Sequence, residues 1–327
     1  MAIRVSSWAS SLMLCLTLIV LALGLGVGST GWQAPWGLDA GQQSVLWDIR
    51  APRTVGSFLV GALLGLSGAV AHGLFRNPLA EPYLLGSSSG AALGLSLALA
   101  WGAGSPVGQA WFLHLGMTGV AFVGAVAGVW LTLLLSGGAR QTMRLLLCGV
   151  VVGVVLGAIT QLLMVWSAEI WRTMQTFMLG NTSLLDWQAC VAMACVLSIC
   201  LPAAALLSRV LDALSLGEDA ARGLGVSIAW ARFWLVAILA LCAASAVGQA
   251  GLVAFVGLVA PHLVRPWSGA LHRRLLWASA WMGGVLLTLA DVLSRWLLAP
   301  QELPVGVLTA VLGGVYLLSL IYKQGRR

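Results

Sequence analysis

Charge is what this sequence has least of. Only 8% of its 327 residues are Asp, Glu, Lys or Arg, where a soluble domain carries about 25%. Hydrophobic residues make up 60%, and the mean hydropathy is +0.97. A water-soluble chain of this length would have too little polar surface to cover itself, whereas a bilayer favours an apolar exterior. Two catalytic signatures are missing too: there is no HExxH and no Walker A sequence GxxxxGK[ST]. There is no CxxC, and Cys15, Cys148, Cys190, Cys195, Cys200 and Cys242 all lie in apolar runs, as small packing residues do. His72, His114, His262 and His272 are far apart and form no pattern with metal-ligand spacing. The net charge of +7 does not indicate nucleic acid, because the bases are scattered between apolar segments.

What is present is a series of apolar runs. A span needs about 20 such residues, and ten are read, at roughly 8–29, 54–74, 84–102, 113–135, 143–166, 187–207, 230–249, 252–266, 276–298 and 305–323. The eighth is short enough to be a broken or partial helix. The 40 glycines suit membrane helices, where small residues permit close approach. Arg4, the run Leu12–Val27 and the small residues after it also fit a secretory signal; with so many spans following, a retained first helix is expected. The chain thus reads as an all-α integral membrane protein, one transmembrane domain over 1–327. Its longest polar stretch is at 208–229.

With the N-terminus in the cytoplasm, the inner segments hold Arg4, Arg76, Arg140, Arg144, Arg209, Arg222, Arg232, Arg265, Arg273, Arg274, Lys323, Arg326 and Arg327. The outer segments hold only Arg50, Arg53, Arg172 and Arg295. That asymmetry orients the chain with both termini cytoplasmic. Trp8, Trp32, Trp36, Trp111, Trp166, Trp187, Trp230 and Trp296 fall near span ends, as an interfacial belt does. Arg50, Arg53 and Arg295 run against the bias. They read either as snorkelling interfacial residues or as a basic outer rim for an acidic partner.

Asp291 is the one carboxylate placed deep in a span. It reads either as a proton-relay group or as the partner of Arg295 one helical turn on. Gly149, Gly153, Gly157 and Gln161 recur at i+4 and share one stripe. That stripe fits a helix-packing seam or the wall of a wide pathway. Pro78 and Pro82 stiffen a short inner connection. In the stretch from Leu214 to Val226, Gly217 suits the end of one short helix, while Glu218 and Asp219 suit the first turn of the next. Gly223 or Gly225 then ends the second.

At these loops the sequence resembles the FecCD-type permeases of ABC importers for ferric siderophores, haem and cobalamin, with the cobalamin branch especially near. The resemblance rests on Trp47-Asp48-Ile49-Arg50-Ala51-Pro52-Arg53, on Ser67-Gly68, and on Arg76-Asn77-Pro78-Leu79-Ala80-Glu81-Pro82. It continues through Leu216-Gly217-Glu218 with Ala220 and Leu224-Gly225, then the run from Gly251 to Arg265 containing Pro261-His262. Asp291 with Arg295, and Glu302-Leu303-Pro304, complete it. It implies a ten-helix type II ABC importer permease that works as a homodimer in the inner membrane. Two ATPase subunits would sit below, carrying ATP and Mg, and one periplasmic binding protein above. The chain itself would hold no cofactor and no catalytic residue. By the same resemblance, 208–229 is the coupling loop, with Leu216, Gly217, Glu218, Asp219, Ala220, Arg222 and Gly225 meeting the ATPase. Arg50, Arg53 and Arg295 dock the binding protein. Asn77, Leu79, Thr142 and Met143 form cytoplasmic gates, and Gly149, Gly153, Gly157 and Gln161 line the pathway. Met143 stands where the cobalamin branch has a small polar residue, and Arg76 where it has an acid.

The alternatives are a proton-coupled secondary transporter built on Asp291, an integral-membrane enzyme, and an importer of bare zinc or manganese ions. The last group lacks the Asn-Pro-Leu-Ala and Pro-His-x-x-Arg signatures.

Overall fold

A computed structural model of the chain describes residues 7–28, 31–32, 39–102, 106–139, 141–225, 227–269 and 271–324. Arg4, Trp36, Arg140, Arg326 and Arg327, used above for orientation, lie outside the described residues. Helix α1 (Ser7–Gly26) leads into a minimal hairpin that pairs Val27 with Trp32. Helix α2 (Ala40–Val45) starts at a capping box in which Asp39 Oδ1 accepts from the Gln42 N–H at 2.8 Å. A π-helical segment, Leu46–Arg50, joins it to α3 (Ala51–Phe75). Then follow α4 (Ser87–Gly102), α5 (Pro106–Leu135), α6 (Thr142–Trp166), α7 (Ala168–Leu179) and α8 (Trp187–Leu206). The short α9 (Ser208–Ser215) and α10 (Glu218–Gly223) precede α11 (Ile228–Ala250), α12 (Val256–Ser268), α13 (His272–Trp296) and α14 (Val305–Gln324).

Seven of these helices are long and apolar enough to cross a membrane, α3, α6, α8, α11, α13, α14 and the Gly116–Leu135 part of α5. The apolar part of α1, Met13–Gly26, is shorter, as are α4 and α12, so the architecture accommodates the ten expected spans. Helix α5 bends at Gly116, where φ is 64° and ψ is 171°. Helix α7 falls in a stretch read only as an outer connection. It is too short to register as a span, and its apolar residues lie on one side.

Helix α3 is the central column. It packs along α13 and α11 and touches α12 and α8. Glycines set the closest approaches: a Cβ on Gly61 would lie 2.1 Å from the Gly283 carbonyl oxygen, and one on Gly65 equally close to that of Ser279. Side chains there would force the two helices apart.

The shortness of α12 has a backbone cause. Residues 251–255 are not helical, and non-helical backbone at membrane depth needs its polar groups satisfied by protein. Leu252 N–H donates to Phe177 O at 2.9 Å, and Asn181 N–H to Ala250 O at 2.8 Å. Tyr83 Oη donates to Val253 O at 3.1 Å, and Phe255 N–H to Glu81 Oε1 at 3.1 Å. The connection 76–86 between α3 and α4 is thereby fastened to the broken entry of α12.

Candidate functional site

Three places carry the residues singled out from the sequence. At the end expected to face outward, Pro52 sits in the first turn of α3, and the next residue is Arg53. One turn apart on α13, Asp291 and Arg295 meet it. Asp291 is fully buried. Its Oδ1 accepts from Arg53 Nε at 2.9 Å and Thr182 Oγ1 at 2.6 Å, and its Oδ2 from Arg295 Nη2 at 2.8 Å. Arg53 Nη1 also reaches Glu302 Oε2 at 2.8 Å. Arg295 Nη1 donates to the carbonyls of Gly24 and Val27 at 3.0 and 2.7 Å. Two guanidiniums are thus balanced by two carboxylates, and one cluster ties α1, α3, α13 and two connections together.

This corrects the expectation of three arginines presented outward. Arg53 and Arg295 are buried and paired with Asp291. Arg50 is half-buried, its Nη1 3.5 Å from Leu25 O. The Asp291–Arg295 pairing expected at i+4 is present. Two guanidiniums and a hydroxyl take up the oxygens of Asp291, an arrangement suited to holding helices rather than carrying protons.

At the arginine-rich end, α9 and α10 form the helix pair expected around Gly217. Gly217 has φ 111° and ψ 156°, and Gly225 has φ 78°. Glu218 and Asp219 occupy the first turn of α10. The hairpin is anchored at two points. Glu218 accepts from the buried Arg232 of α11 and also pairs with Arg222 at 3.5 Å. Asp212 Oδ1 takes the His272 backbone N–H at 2.9 Å and sits 2.7 Å from its Nδ1, fixing α9 to α13. The Arg232 hydrogen bond, with smaller help from the charges of Arg232, Arg222 and Arg76, holds the Glu218 carboxyl below the usual carboxylate range against its partial burial. Leu216 and Leu224 are 71% and 67% exposed, and the Asp219 side chain 98%. Ala220 and Arg222 are exposed too. Two exposed leucines on an anchored hairpin form a face without cover in the single chain.

The stripe on α6 divides. A Cβ on Gly149 would lie 2.1 Å from Leu84 O, so Gly149 is a packing position and its place in a pathway wall is corrected. At Gly153 the nearest atom is Ser89 Oγ, 3.6 Å away, and at Gly157 nothing lies within 4 Å. Gln161 is exposed. Around them α6 bares Val150, Val151, Val154, Leu162 and Val165. Thr142 and Met143 open the same helix, Met143 being 74% exposed. Asn77 and Leu79 lie in the connection between α3 and α4, where Asn77 Oδ1 accepts from the Leu79 N–H at 2.9 Å.

Thr182 and Arg232 escape the sequence reading as partners. Thr182 gives no signal. Arg232 gives one, a lone guanidinium in the first turns of an apolar helix, which demands a counter-charge.

Comparison with known proteins bears on the family and the fold. The profile of the FecCD transport family matches residues 14–323. The hemin transport system permease protein HmuU of Yersinia pestis is 38% identical over 321 residues, 95% of this chain and 94% of that one. The vitamin B12 import system permease protein BtuC of Salmonella typhimurium is 39% identical over 325 residues, covering 98% and 96%. A solved metal-chelate type ABC transporter, in an inward-facing conformation, superposes with a TM-score of 0.85 at 30% identity, covering 95% of this chain and 97% of that one. PsaBC from Streptococcus pneumoniae, solved with a Fab, shares the fold at a TM-score of 0.58 and 14% identity, covering 81% and 88%.

Proposed function

The chain belongs to the FecCD transport family, and from that premise we propose that it is the inner-membrane permease subunit of an ABC importer. The importer moves a metal chelate, a ferric siderophore, haem or cobalamin, from periplasm to cytoplasm. It works as a homodimer with two ATPase subunits and one periplasmic binding protein. ATP and Mg are bound by the ATPase, and the permease contributes no catalytic group.

The observation that carries this reading is the anchored hairpin of α9 and α10. Its base is pinned by Glu218–Arg232 and Asp212–His272, while Leu216, Asp219 and Leu224 stand free of cover. A rigid element with an exposed apolar edge transmits a displacement, which a floppy loop would absorb. ATP-driven closure below would push on this edge and, through α9, α11 and α13, shift the bundle. Substrate would pass along the open side of α6 at Gly153, Gly157 and Gln161, with Thr142, Met143, Asn77 and Leu79 at its inner end. Arg50 would face the docked binding protein.

Proteoliposomes holding the permease with its ATPase, supplied with the loaded binding protein, test the proposal. Uptake of labelled chelate should need hydrolysable ATP and the ATPase subunit. Uptake driven by a proton gradient with the ATPase omitted would overturn it and restore a secondary transporter.

A further inference from the structure

A second polar feature lies at the arginine-rich end, beside the hairpin and distinct from its exposed edge. A cleft of about 260 Å³ is lined by His72, Arg76, Asn77, Ser215, Arg265 and His272, with Gly73 and Pro78. Five chain segments converge there: the end of α3, the connection after it, the end of α9, the end of α12 and the start of α13. We propose that this cleft binds the phosphate of an anionic phospholipid headgroup.

Four observations support the proposal. First, the lining is cationic: neither Arg76 nor Arg265 has an ion-pair partner among the described residues, although Arg76 lies in the field of Glu218. Second, no acid is among the lining residues, and Asp212, which is bonded to one of them, is turned to the backbone and ring of His272. Third, His72 is only 4% exposed, yet its Nε2 has no hydrogen-bond partner. A buried ring nitrogen without a partner is costly; the other ring nitrogen donates to the Ala80 carbonyl, so Nε2 of the neutral ring accepts, and a glycerol hydroxyl of a headgroup seated in the cleft would supply its donor. Fourth, a neutral donor stands beside the charges. Asn77 Oδ1 is taken by Leu79 N–H, so its amide NH2 is the group it offers.

The surroundings decide the source of the phosphate. Trp267 and Leu271 flank the cleft residues Arg265 and His272 in the chain and are 58% and 54% exposed. A free phosphate ion gains nothing from them, whereas a lipid sets its phosphate among the arginines and its acyl carbons against the apolar residues. Basic pockets between membrane helices on the cytoplasmic side suit such headgroups.

The assembled transporter is placed in nanodiscs of phosphatidylcholine alone or with phosphatidylglycerol. Bound lipid is counted by native mass spectrometry, and thermal unfolding is followed in parallel. Wild type should retain phosphatidylglycerol and unfold at a higher temperature when it is present. Arg265→Gln should weaken retention about fivefold, the effect of one arginine at an anionic surface, and Arg76→Gln with Arg265→Gln should abolish the thermal shift. Both arginines are exposed, so folding is not at stake. Arg209→Gln removes an exposed α9 arginine outside the cleft and should leave retention unchanged. Equal loss in the Arg209 variant would reduce the effect to diffuse surface attraction and overturn the site. A shift reproduced by millimolar inorganic phosphate in phosphatidylcholine nanodiscs would overturn the lipid assignment.

Discussion

Asp291 shows how much a single residue's partners decide. Removing it leaves Arg53 and Arg295 buried without their shared counter-charge, a loss of about 3–5 kcal/mol in such clusters. Asp291→Ala should therefore lower the yield of folded protein and its unfolding temperature in detergent, and combining it with Arg53→Met should recover part of both. A stable Asp291→Asn protein that has lost only proton-dependent transport would contradict the cohesive role. Glu218 makes a milder case. Its carboxyl lies below the ordinary value of 4.5 because of Arg232, so the unfolded chain binds its proton more readily than the folded one. The stabilisation is fully present above that ordinary value and is lost as pH falls through the lower folded value. Protection of the α10 amides from hydrogen exchange, taken relative to the intrinsic rate at each pH, should hold from neutral pH down to the ordinary value and fall below it. Glu218→Gln should show fast exchange at neutral pH already.

At the scale of elements, α6 and the hairpin make opposite demands on glycine. Gly149→Trp should prevent the protein from accumulating, because even a Cβ there meets the Leu84 carbonyl at 2.1 Å. Gly157→Trp should accumulate and assemble normally yet block uptake, since its Cβ would meet nothing within 4 Å. Dissociation of the dimer by Gly157→Trp would instead make this side a contact between copies. Gly217 lies in a backbone region nearly exclusive to glycine, and occupying it with another residue costs about 1–3 kcal/mol. Gly217→Val should insert and bind the loaded binding protein while losing stimulation of ATP hydrolysis by it. Normal stimulation would remove the hairpin from the coupling role. The helix pair was legible because its glycines, its acids and its polarity are local signals. The division of the α6 stripe was not: four residues at i+4 look alike in sequence, and only the position of Leu84, more than sixty residues upstream, separates Gly149 from Gly157. Helix α7 was missed for a related reason, its amphipathic single face being invisible to a search for uniformly apolar runs.

The whole molecule was readable as a bundle of about ten spans because bilayer thickness and charge asymmetry are written into composition. Its buried charge cluster was not, since Arg53 and Asp291 are brought together across 238 residues of separation. Of the three arginines expected at the outer rim, only Arg50 is not buried. Arg50→Glu should weaken docking of the binding protein by at most about fivefold, the range of an exposed pair, and the difference from wild type should shrink as salt rises. Salt-independent docking would dismiss Arg50 from the interface. Arg53→Glu should fail earlier, at folding.

Burial across the bundle is uneven. The apolar stretch ending in α3 is 89% buried, and those of α11 and α13 are 72% buried, whereas α6 and α8 reach 28% and α14 only 22%. That gradient should appear as a map of mutational tolerance. Along α3, saturation libraries should accept glycine alone at Gly61 and Gly65, where it crosses α13. Along α8, exchange among Leu, Ile, Val and Phe should be nearly free, because lipid tails adapt to any of them. Wherever α6 or α14 rejects such exchanges despite its exposure in the single chain, the forbidden positions trace the footprint of a neighbouring subunit, drawn by selection alone.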